Sequence, residues 1–337
     1  MQIQDAIKAV VARQDLTGEE MKSVMQQIMT GECSAAQIGG FLIGLRMKGE
    51  SVDEITAAAT VMRDLSATVS VSSDYLVDTC GTGGDASGSF NISTASAIVA
   101  AAAGAKVAKH GNRSVSSKSG SADVLEAAGV NLAMTPAQVG DCVEQVGVGF
   151  MFAPAHHSAM KHAIGPRKEM AVRTIFNLLG PLTNPAGAPN QVVGVFDAEL
   201  VELLANVLKQ LGSRHVMVVH ADDGMDEISI SAPTRVAELK QGEVHSYSIS
   251  PADFGMETAS LEDLKVDGVD ESLAVIRSIL AGHSGPAQDI VCLNAGAAIY
   301  VSGCAGSHQD GIEAARGAIA SGKAAEVLQN LVDRSNA

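Results

Sequence analysis

The chain has 337 residues, of which 46% are hydrophobic, and it carries a formal charge of −15 at pH 7. The apolar content is enough to bury a large core, which excludes a disordered chain, and the length fits two domains or one large α/β unit. The negative charge repels nucleic acid, and an aromatic content of 3% leaves few rings that could stack on bases.

The N-terminal residues predict neither an export signal nor a membrane anchor. Asp5 interrupts the apolar run that a signal peptide needs, and no stretch approaches the roughly 20 apolar residues of a membrane span. Five cysteines without a C-x-x-C pair favour neither zinc nor a disulfide framework. We therefore expect a cytoplasmic protein that contacts neither membranes nor nucleic acid.

Residues 1–70 predict a small helical domain. An opening helix is expected from Asp5 to Gln14. Three more helices begin at capping boxes, in which a hydroxyl residue and a Glu or Gln three positions later bond each other's backbone. These boxes are Thr17 with Glu20, Ser34 with Gln37, and Ser51 with Glu54.

Residues 71–337 predict a larger α/β domain. Short apolar runs, each followed by a polar or glycine turn and then a helical segment, are YLVDTCG, AKVAKHG, GFMFAP, QVVGVF and HVMVVHA. This alternation is typical of a mostly parallel central sheet with helices on its faces. Two alternating runs meet at Gln241 and Gly242 and predict a β-hairpin, and helices return from Glu271 onward.

Two loops have the composition of phosphate sites. The first, Asp78 to Thr94, contains Gly81, Gly83, Gly84 and Gly88 beside several hydroxyl residues, and a helix follows it, so backbone N–H groups can face an anion. The alternative is an exposed turn, and the loop matches neither the Walker nor the dinucleotide pattern.

The second loop, Lys109 to Ala122, concentrates positive charge in an otherwise acidic chain. It holds Lys109, His110, Asn112, Arg113 and Lys118 among five serines. A polyphosphate pocket fits this composition, and a solvated surface loop is the alternative. Both loops follow successive predicted strands, and ligands of open α/β sheets lie at the carboxyl ends of strands.

These segments closely resemble the signature segments of the anthranilate phosphoribosyltransferases. The resemblance rests on DTCGTGGD, NIST, KHGNRSVSSKSGSADVLEAAG, FMFAPAHHSAMKHAIGPRKEMAVRTIFNLLGPLTNPA and HADDGMDEIS, and it spans nearly the whole chain. Ser114 and Ala128 stand where Ala and Leu are commoner in the family, and both departures are small.

The resemblance implies the reaction and the assembly. The phosphoribosyl group of phosphoribosyl pyrophosphate would pass to the amine of anthranilate, giving N-(5-phosphoribosyl)anthranilate and pyrophosphate in tryptophan biosynthesis, with Mg²⁺ as cofactor. The implied fold is that of the nucleoside phosphorylases and phosphoribosyltransferases. Helices from about 165–180 would join the N-terminal helical domain, through which two copies would form a homodimer.

The resemblance also implies the site residues, and it assigns no general base. The implied donor-binding residues are Gly81, Gly84, Asp85, Ser89, Asn91, Ile92, Ser93, Thr94, Lys109, His110, Gly111, Asn112, Arg113, Ser114, Val115, Ser116, Ser117 and Ser121. Anthranilate would contact Gly81, Asn112, His156 and Arg167. Magnesium would be held by Ser93, Asp226 and Glu227.

Arg167 and the acidic segment can also be interpreted from their chemistry alone. Arg167 follows Gly165 and Pro166 at a predicted helix start, where a cation opposes the helix dipole, so a carboxylate clamp explains it better than helix stabilisation. An exposed Arg near a helix end is the alternative. The carboxylates of DDGMDE suit Mg²⁺, and a solvated acidic turn is the alternative.

The spacing of three histidines, His156, His157 and His162, superficially suggests zinc. No cysteine or carboxylate lies at ligand spacing, so we expect these histidines to lie in the wall of a pocket.

Three other functions compete with phosphoribosyl transfer. A pyrimidine nucleoside phosphorylase shares the implied fold but would not need both a pyrophosphate site and the Asp226–Glu227 pair. A non-catalytic relative that binds nucleic acid through a basic surface conflicts with the charge of −15. A purely structural α/β protein leaves three matching ligand segments unexplained.

Overall fold

The N-terminal capping boxes start three helices where the sequence predicts them. The computed structural model describes residues 1–85, 87–114 and 119–337. In each box the cap hydroxyl accepts a hydrogen bond from the backbone N–H three residues later, and that residue's side chain accepts one from the cap backbone. The opening helix spans Ile3–Val11 instead of Asp5 to Gln14, because Arg13 lies in the left-handed region (φ 59°) just beyond its end.

The described residues form fifteen α-helices and seven strands. Helices α1 to α15 span Ile3–Val11, Gly18–Thr30, Ala35–Lys48, Val52–Asp64, Ile92–Ala102, Ser121–Ala128, Pro136–Val146, Ala153–His156, Lys161–Met170, Phe176–Leu182, Leu200–Gln210, Val269–Leu280, Pro286–Ser302, His308–Ala320 and Lys323–Ser335. Strands β1 to β7 span Leu76–Gly81, Lys106–Gly111, Val148–Phe152, Asn190–Gly194, His215–Ala221, Thr234–Lys240 and Glu243–Ile249.

The seven strands form one sheet in the order β3-β2-β1-β4-β5-β6-β7. The first five strands in this order are parallel, and β6 and β7 are antiparallel, so the prediction of a mostly parallel sheet is confirmed. The predicted hairpin is β6–β7, and its two turn residues, Gln241 and Gly242, both have positive φ, which matches the right-handed twist of the strands.

The strand order reverses between β1 and β4, and this reversal places the site. After β1 the chain builds β2 and β3 on one side, then returns to build β4 on the other. The last residues of these two strands, Gly81 and Gly194, are partners in the ladder. A crevice at the carboxyl ends of two such strands is where open α/β sheets bind ligands.

Alternate side chains of the sheet pack into two different cores. On β5, Val216 and Val218 belong to a core that contains the buried faces of α1 to α4 and α11, while Met217 and Val219 belong to a core with α5 and α13. Helix α9 contacts α2 and α3, and α10 contacts α4. The domain boundary near residue 70 and the inclusion of residues 165–180 in the helical domain stay predictions.

Within the described residues, no helix is long and apolar enough to cross a bilayer.

A polar cluster ties the β-hairpin to α13, far from the reversal point. Glu238 on β6 accepts hydrogen bonds from His215 Nε2 (2.7 Å), Tyr247 Oη (2.8 Å) and Tyr300 Oη (2.8 Å). Burial alone would raise the pKa of Glu238, but these hydrogen bonds outweigh it and lower the pKa to about 2. The ionised carboxylate therefore stabilises the folded chain.

We expect Glu238→Gln to lower the free energy of unfolding by about 1–2 kcal/mol at neutral pH. The pKa of Glu238 falls from 4.5 to about 2 on folding, so its contribution is complete above pH 4.5 and is lost as the pH falls toward 2. Urea unfolding across this range should show the difference from wild type shrinking. The matched control is Glu243→Gln, an exposed residue of the same hairpin, which should change little. A difference that stays constant with pH would contradict the assignment.

Candidate active site

Two glycines at the strand ends allow the acidic segment to cross the sheet edge. A Cβ on Gly194 would lie 1.5 Å from the backbone oxygen of Asp226, and one on Gly81 would lie 2.5 Å from Asp226 Oδ2. A side chain at Gly194 would require the backbone of the acidic segment to move, and one at Gly81 would require the Asp226 carboxylate to move. The glycine pair therefore brings Asp226 and Glu227 onto the carboxyl ends of β1 and β4.

The carboxylates of this segment lie close together. Asp226 Oδ2 accepts a hydrogen bond from Gly83 N–H at 2.8 Å. Burial and then the Asp85 carboxylate raise the pKa of Asp226 to about 7. Burial and the charge of Asp226 raise the pKa of Glu227 well above its usual value, and Lys109 opposes this rise. The cluster has an excess of negative charge that a cation would relieve.

The oxygen atoms around this cluster fit magnesium. Ser93 and Glu227 both line a cavity of about 10 Å³, the size of about one water, and the backbone N–H of Ser93 acts to lower the pKa of Glu227. No group of three or more His, Cys, Asp or Glu in the described residues could hold a metal by itself. Mg²⁺ would complete its shell with water and substrate oxygens, which is its usual habit.

The glycine loop after β1 is held at three consecutive residues. Thr82 N–H donates to Gly194 O (2.9 Å), Gly83 N–H donates to Asp226, and Gly84 O accepts from Arg173 (2.6 Å). Gly83 and Gly84 have φ of 68° and 80°, which other residues rarely adopt. The loop is therefore a fixed turn above the strand ends.

The N-terminus of α5 faces the same crevice without a side-chain cap. Its N-cap residue, Asn91, bonds Ser119 Oγ (2.7 Å) and Ser272 Oγ (3.2 Å) with its side chain instead of capping the helix. Uncapped N–H groups and the helix dipole both favour an anion at this end.

Lys109 brings a buried positive charge between the two loops. Its side chain lies on β2, with 3% of the residue exposed, and Nζ donates to Thr79 O (2.6 Å) and Ser93 Oγ (3.2 Å). Burial lowers its pKa, while the carboxylates of Asp78 and Glu227 act to raise it. Lys109 is thus adjacent both to Ser93 Oγ and Glu227, which could bind a metal, and to the N-terminus of α5.

The second loop is described in part. Asn112 O accepts from Ser121 Oγ (3.4 Å), and Ser114 N–H donates to Asp123 Oδ2 (3.0 Å). Arg113 pairs with Asp123 (3.0 Å) and Glu126 (2.7 Å) on α6, so its charge is directed toward that helix. The predicted residues Val115, Ser116 and Ser117 lie outside the described residues, as does Lys118.

His110 and His157, which lie near the crevice, are neutral. Burial and the neighbouring histidines lower the pKa of His110 to about 3 and that of His157 to about 4. Their rings lie 5.1 Å apart, and His156 Nδ1 bonds Ala67 O at 2.8 Å. They form an interior wall along β2 and β3.

Arg167 lies in the last turn of α9, so the prediction that it sits at a helix start was wrong. Pro166 suggested a start because proline favours the first helical turn, but here it lies inside the helix. The dipole therefore favours Arg167. The guanidinium lies 5.2 Å from the Phe176 ring, and no ion pair to it occurs among the described residues. Burial lowers the pKa of this unpaired cation, and an anionic ligand would compensate it.

Comparison with known proteins decides the family. Residues 4–66 match the model of the glycosyl transferase family, helical bundle domain, and residues 73–325 match its a/b domain. The anthranilate phosphoribosyltransferase of Thioalkalivibrio sulfidiphilus is 69% identical over 332 residues, covering 98% of each chain. That of Cellvibrio japonicus is 61% identical over 335 residues, again covering 98% of each.

The chain belongs to the anthranilate phosphoribosyltransferase family. The crystal structure of the Thermus thermophilus member superposes with a TM-score of 0.94 at 43% identity, covering 99% of this chain and 100% of that one. The Saccharomyces cerevisiae member, solved in complex with phosphoribosyl pyrophosphate and Mg, has a TM-score of 0.90 at 25% identity, covering 99% and 98%. The predicted family, helical domain and α/β domain are confirmed.

The predicted donor and metal residues that the structure describes, together with His156, fall into three groups. Gly81, Gly84, Asp85, Ser93, Lys109, Asp226 and Glu227 converge at the reversal point. Ser89, Gly111, Asn112, Arg113, Ser114 and Ser121 lie on the two loops or at their ends, next to Asn91 at the N-terminus of α5. The side chains of Ile92, Thr94, His110 and His156 are buried. The first three residues would therefore contact a donor in the crevice through their main-chain groups.

Sequence reasoning missed Arg173, Ser119 and Ser272. Arg173 contacts Gly84 from 89 residues away, and Ser272 contacts Asn91 from 181 residues away. No motif or spacing in the sequence marks a contact of that kind.

We expect Gly81→Ala to displace the Asp226 carboxylate from Gly83 N–H, because the new Cβ would lie 2.5 Å from Asp226 Oδ2. Turnover in the family's reaction should fall on the order of 100-fold, since small misplacements of a positioning group are costly. The melting temperature should change little, because the obstructing atom ends a side chain. Gly317→Ala, where nothing lies within 4 Å, is the control. Full activity of Gly81→Ala would contradict this account.

Proposed function

We propose that this chain catalyses the reaction of its family, the transfer of the phosphoribosyl group of phosphoribosyl pyrophosphate to the amine of anthranilate, giving pyrophosphate and N-(5-phosphoribosyl)anthranilate in tryptophan biosynthesis. One observation carries the proposal. A fixed glycine loop, an uncapped helix N-terminus, a buried lysine and a carboxylate pair meet at one reversal point of the sheet. A donor that carries several phosphates and binds magnesium would use all four.

The donor side of the site would stabilise negative charge. When the C1–pyrophosphate bond breaks, negative charge grows on the leaving group, and fixed donors that face it lower the barrier. Lys109, the N–H groups of the glycine loop and the N-terminus of α5 would bind the phosphates. Ser93, Asp226 and Glu227 would hold Mg²⁺, which when bound supplies charge neutralisation to the pyrophosphate.

The acceptor side of the site aligns a neutral amine. An arylamine is uncharged near pH 7, so no side chain has to remove a proton before attack, and no general base is assigned. Arg167 would pair with the anthranilate carboxylate, while Asn112, His156 and the open backbone at Gly81 would place the ring and the amine. Holding both reactants in line removes much of the entropic barrier.

A pyrimidine nucleoside phosphorylase is the second candidate, because the implied fold is shared. Such an enzyme takes inorganic phosphate, and the half-buried cluster of Asp85, Asp226 and Glu227 would repel it unless a divalent cation intervened. Assaying thymidine and uridine phosphorolysis beside anthranilate consumption separates the two.

The cytoplasmic location and the homodimer formed through the N-terminal helical domain belong to this proposal as expectations.

We expect Asp226→Asn combined with Glu227→Gln to lower turnover on the order of 100-fold or more, because the metal loses both carboxylates. In chelator the melting temperature should stay the same or rise, since the change removes buried like charges. Anthranilate fluorescence follows turnover, and calorimetry follows melting. The matched control is Asp222→Asn, an exposed residue of the same segment. Undiminished wild-type turnover in excess chelator would contradict a magnesium requirement.

We expect Arg167→Ala to weaken transition-state binding by about 2–4 kcal/mol with anthranilate, because a charge-assisted pair and the alignment of the amine are both lost. Arg167→Lys should restore only part, since an ammonium lacks the planar fork. Stability should fall by about 1 kcal/mol, within the range of a partly buried cation–π contact such as that with Phe176.

The substrate anthranilamide separates a role toward the acceptor from other roles. It lacks the carboxylate charge, so wild type and Arg167→Ala should use it about equally well. Lys168→Ala, the exposed next residue on α9, is the matched control. An equal loss of kcat/KM on anthranilate and anthranilamide would assign Arg167 to the donor or to the fold.

A further inference from the structure

Arg173 holds the glycine loop from outside the sheet. It lies in the short connection between α9, which carries Arg167, and α10. Its guanidinium donates to Gly84 O at 2.6 Å and stacks on the Phe196 ring with Cζ 3.9 Å from the centroid. A Cβ on Gly84 would lie 2.7 Å from the donating nitrogen, so this approach depends on the glycine.

The stacking partner is itself joined to the loop. Phe196 N–H donates to Thr82 Oγ1 at 3.1 Å, and Thr82 N–H donates to Gly194 O at 2.9 Å. Arg173 is therefore fixed by a ring at the end of β4, and that ring is fixed by the first residue of the loop. No carboxylate pairs with Arg173 among the described residues, and within them its guanidinium bonds the loop carbonyl and lies over the ring.

The contact with Gly84 O sets the direction of the next N–H group. A trans peptide is planar, and its N–H points away from its C=O, so holding Gly84 O toward Arg173 turns Asp85 N–H to the opposite side. That N–H makes no hydrogen bond within the described residues. A cation on the carbonyl also polarises the peptide and makes its N–H a stronger donor. The Asp85 N–H is therefore already oriented, and it lies in a glycine loop of the kind that binds phosphate, so it can donate to an anion.

We propose that Arg173 is a positioning residue of the transfer reaction, which fixes the Gly84–Asp85 peptide so that its N–H faces the donor phosphates. The inference rests on the proposed function. It also joins the donor loop to the chain segment that carries Arg167, so the donor loop and the acceptor segment keep one relative placement. The planar guanidinium is needed because one group must stack and donate at the same time.

The test compares Michaelis constants for both substrates in wild type, Arg173→Ala and Arg173→Lys. Arg173→Ala should raise the KM for phosphoribosyl pyrophosphate about tenfold and that for anthranilate by less than about threefold. Arg173→Lys should recover less than half of the loss, because an ammonium cannot stack flat on Phe196. A purely structural role would instead lower the melting temperature and leave the ratio of the two constants unchanged.

Three further variants make the result decisive. Phe196→Leu should show a smaller rise in the same constant, and combining it with Arg173→Ala should be no worse than Arg173→Ala alone, since both act on one contact. Arg277→Ala, an exposed arginine on α12, is the matched control and should behave as wild type.

The outcomes separate the two proposals. A wild type that does not consume anthranilate with phosphoribosyl pyrophosphate and magnesium would overturn the proposed function. An active wild type with an unchanged ratio of constants in Arg173→Ala, or full recovery in Arg173→Lys, would overturn the role of Arg173 alone.

Discussion

The burial of like charges against a pair of glycines is the constraint on which the rest of the site depends. Gly81 and Gly194 are partners in the sheet, and the absence of a Cβ on both lets Asp226 and Glu227 lie on the strand ends. Removing carboxylates from water is costly unless a cation compensates, and Lys109 supplies a single charge. The chain carries a formal charge of −15, and its proposed donor is a polyanion. A divalent cation between the carboxylates and the donor would reduce the electrostatic repulsion between them.

In the proposed mechanism, main-chain groups would make most of the remaining contacts with the donor phosphates. Asn91 directs its side chain to Ser119 and Ser272, and this leaves the N-terminus of α5 open for an anion. Ser272 is fully buried at the start of α12, so a C-terminal helix stabilises a loop that lies far earlier in the chain. Rigid N–H groups can bind phosphates without adding many cations, which suits a protein whose surface is strongly acidic.

Local patterns predicted what is local. The capping boxes, the strand runs and the hairpin at Gln241 and Gly242 were found because each depends on neighbours in sequence. Most of the loops that converge at the reversal point were identified from glycine and charge. Arg173 and Ser272 were missed because their partners are 89 and 181 residues away. The helix position of Arg167 was wrong because tertiary packing of α9 on α2 and α3 overrides the tendency of Pro166 to start a helix.

The segment from α9 to the end of α10 connects parts of the site that belong to different cores. It carries Arg167 on the side of the helical bundle, it reaches the donor loop through Arg173, and just beyond α10 Asn184 Nδ2 donates to Ala108 O (2.8 Å) on β2, along the wall of the crevice. Transfer between two bound molecules requires that their reacting atoms keep a distance set by the protein. A single stretch of chain that includes the helix proposed to bind the acceptor, and that contacts the proposed donor loop and the crevice wall, would fix that distance more directly than packing between two cores does. In the proposed mechanism this connecting segment positions the two reactants, and the charged groups at the strand ends stabilise the leaving group.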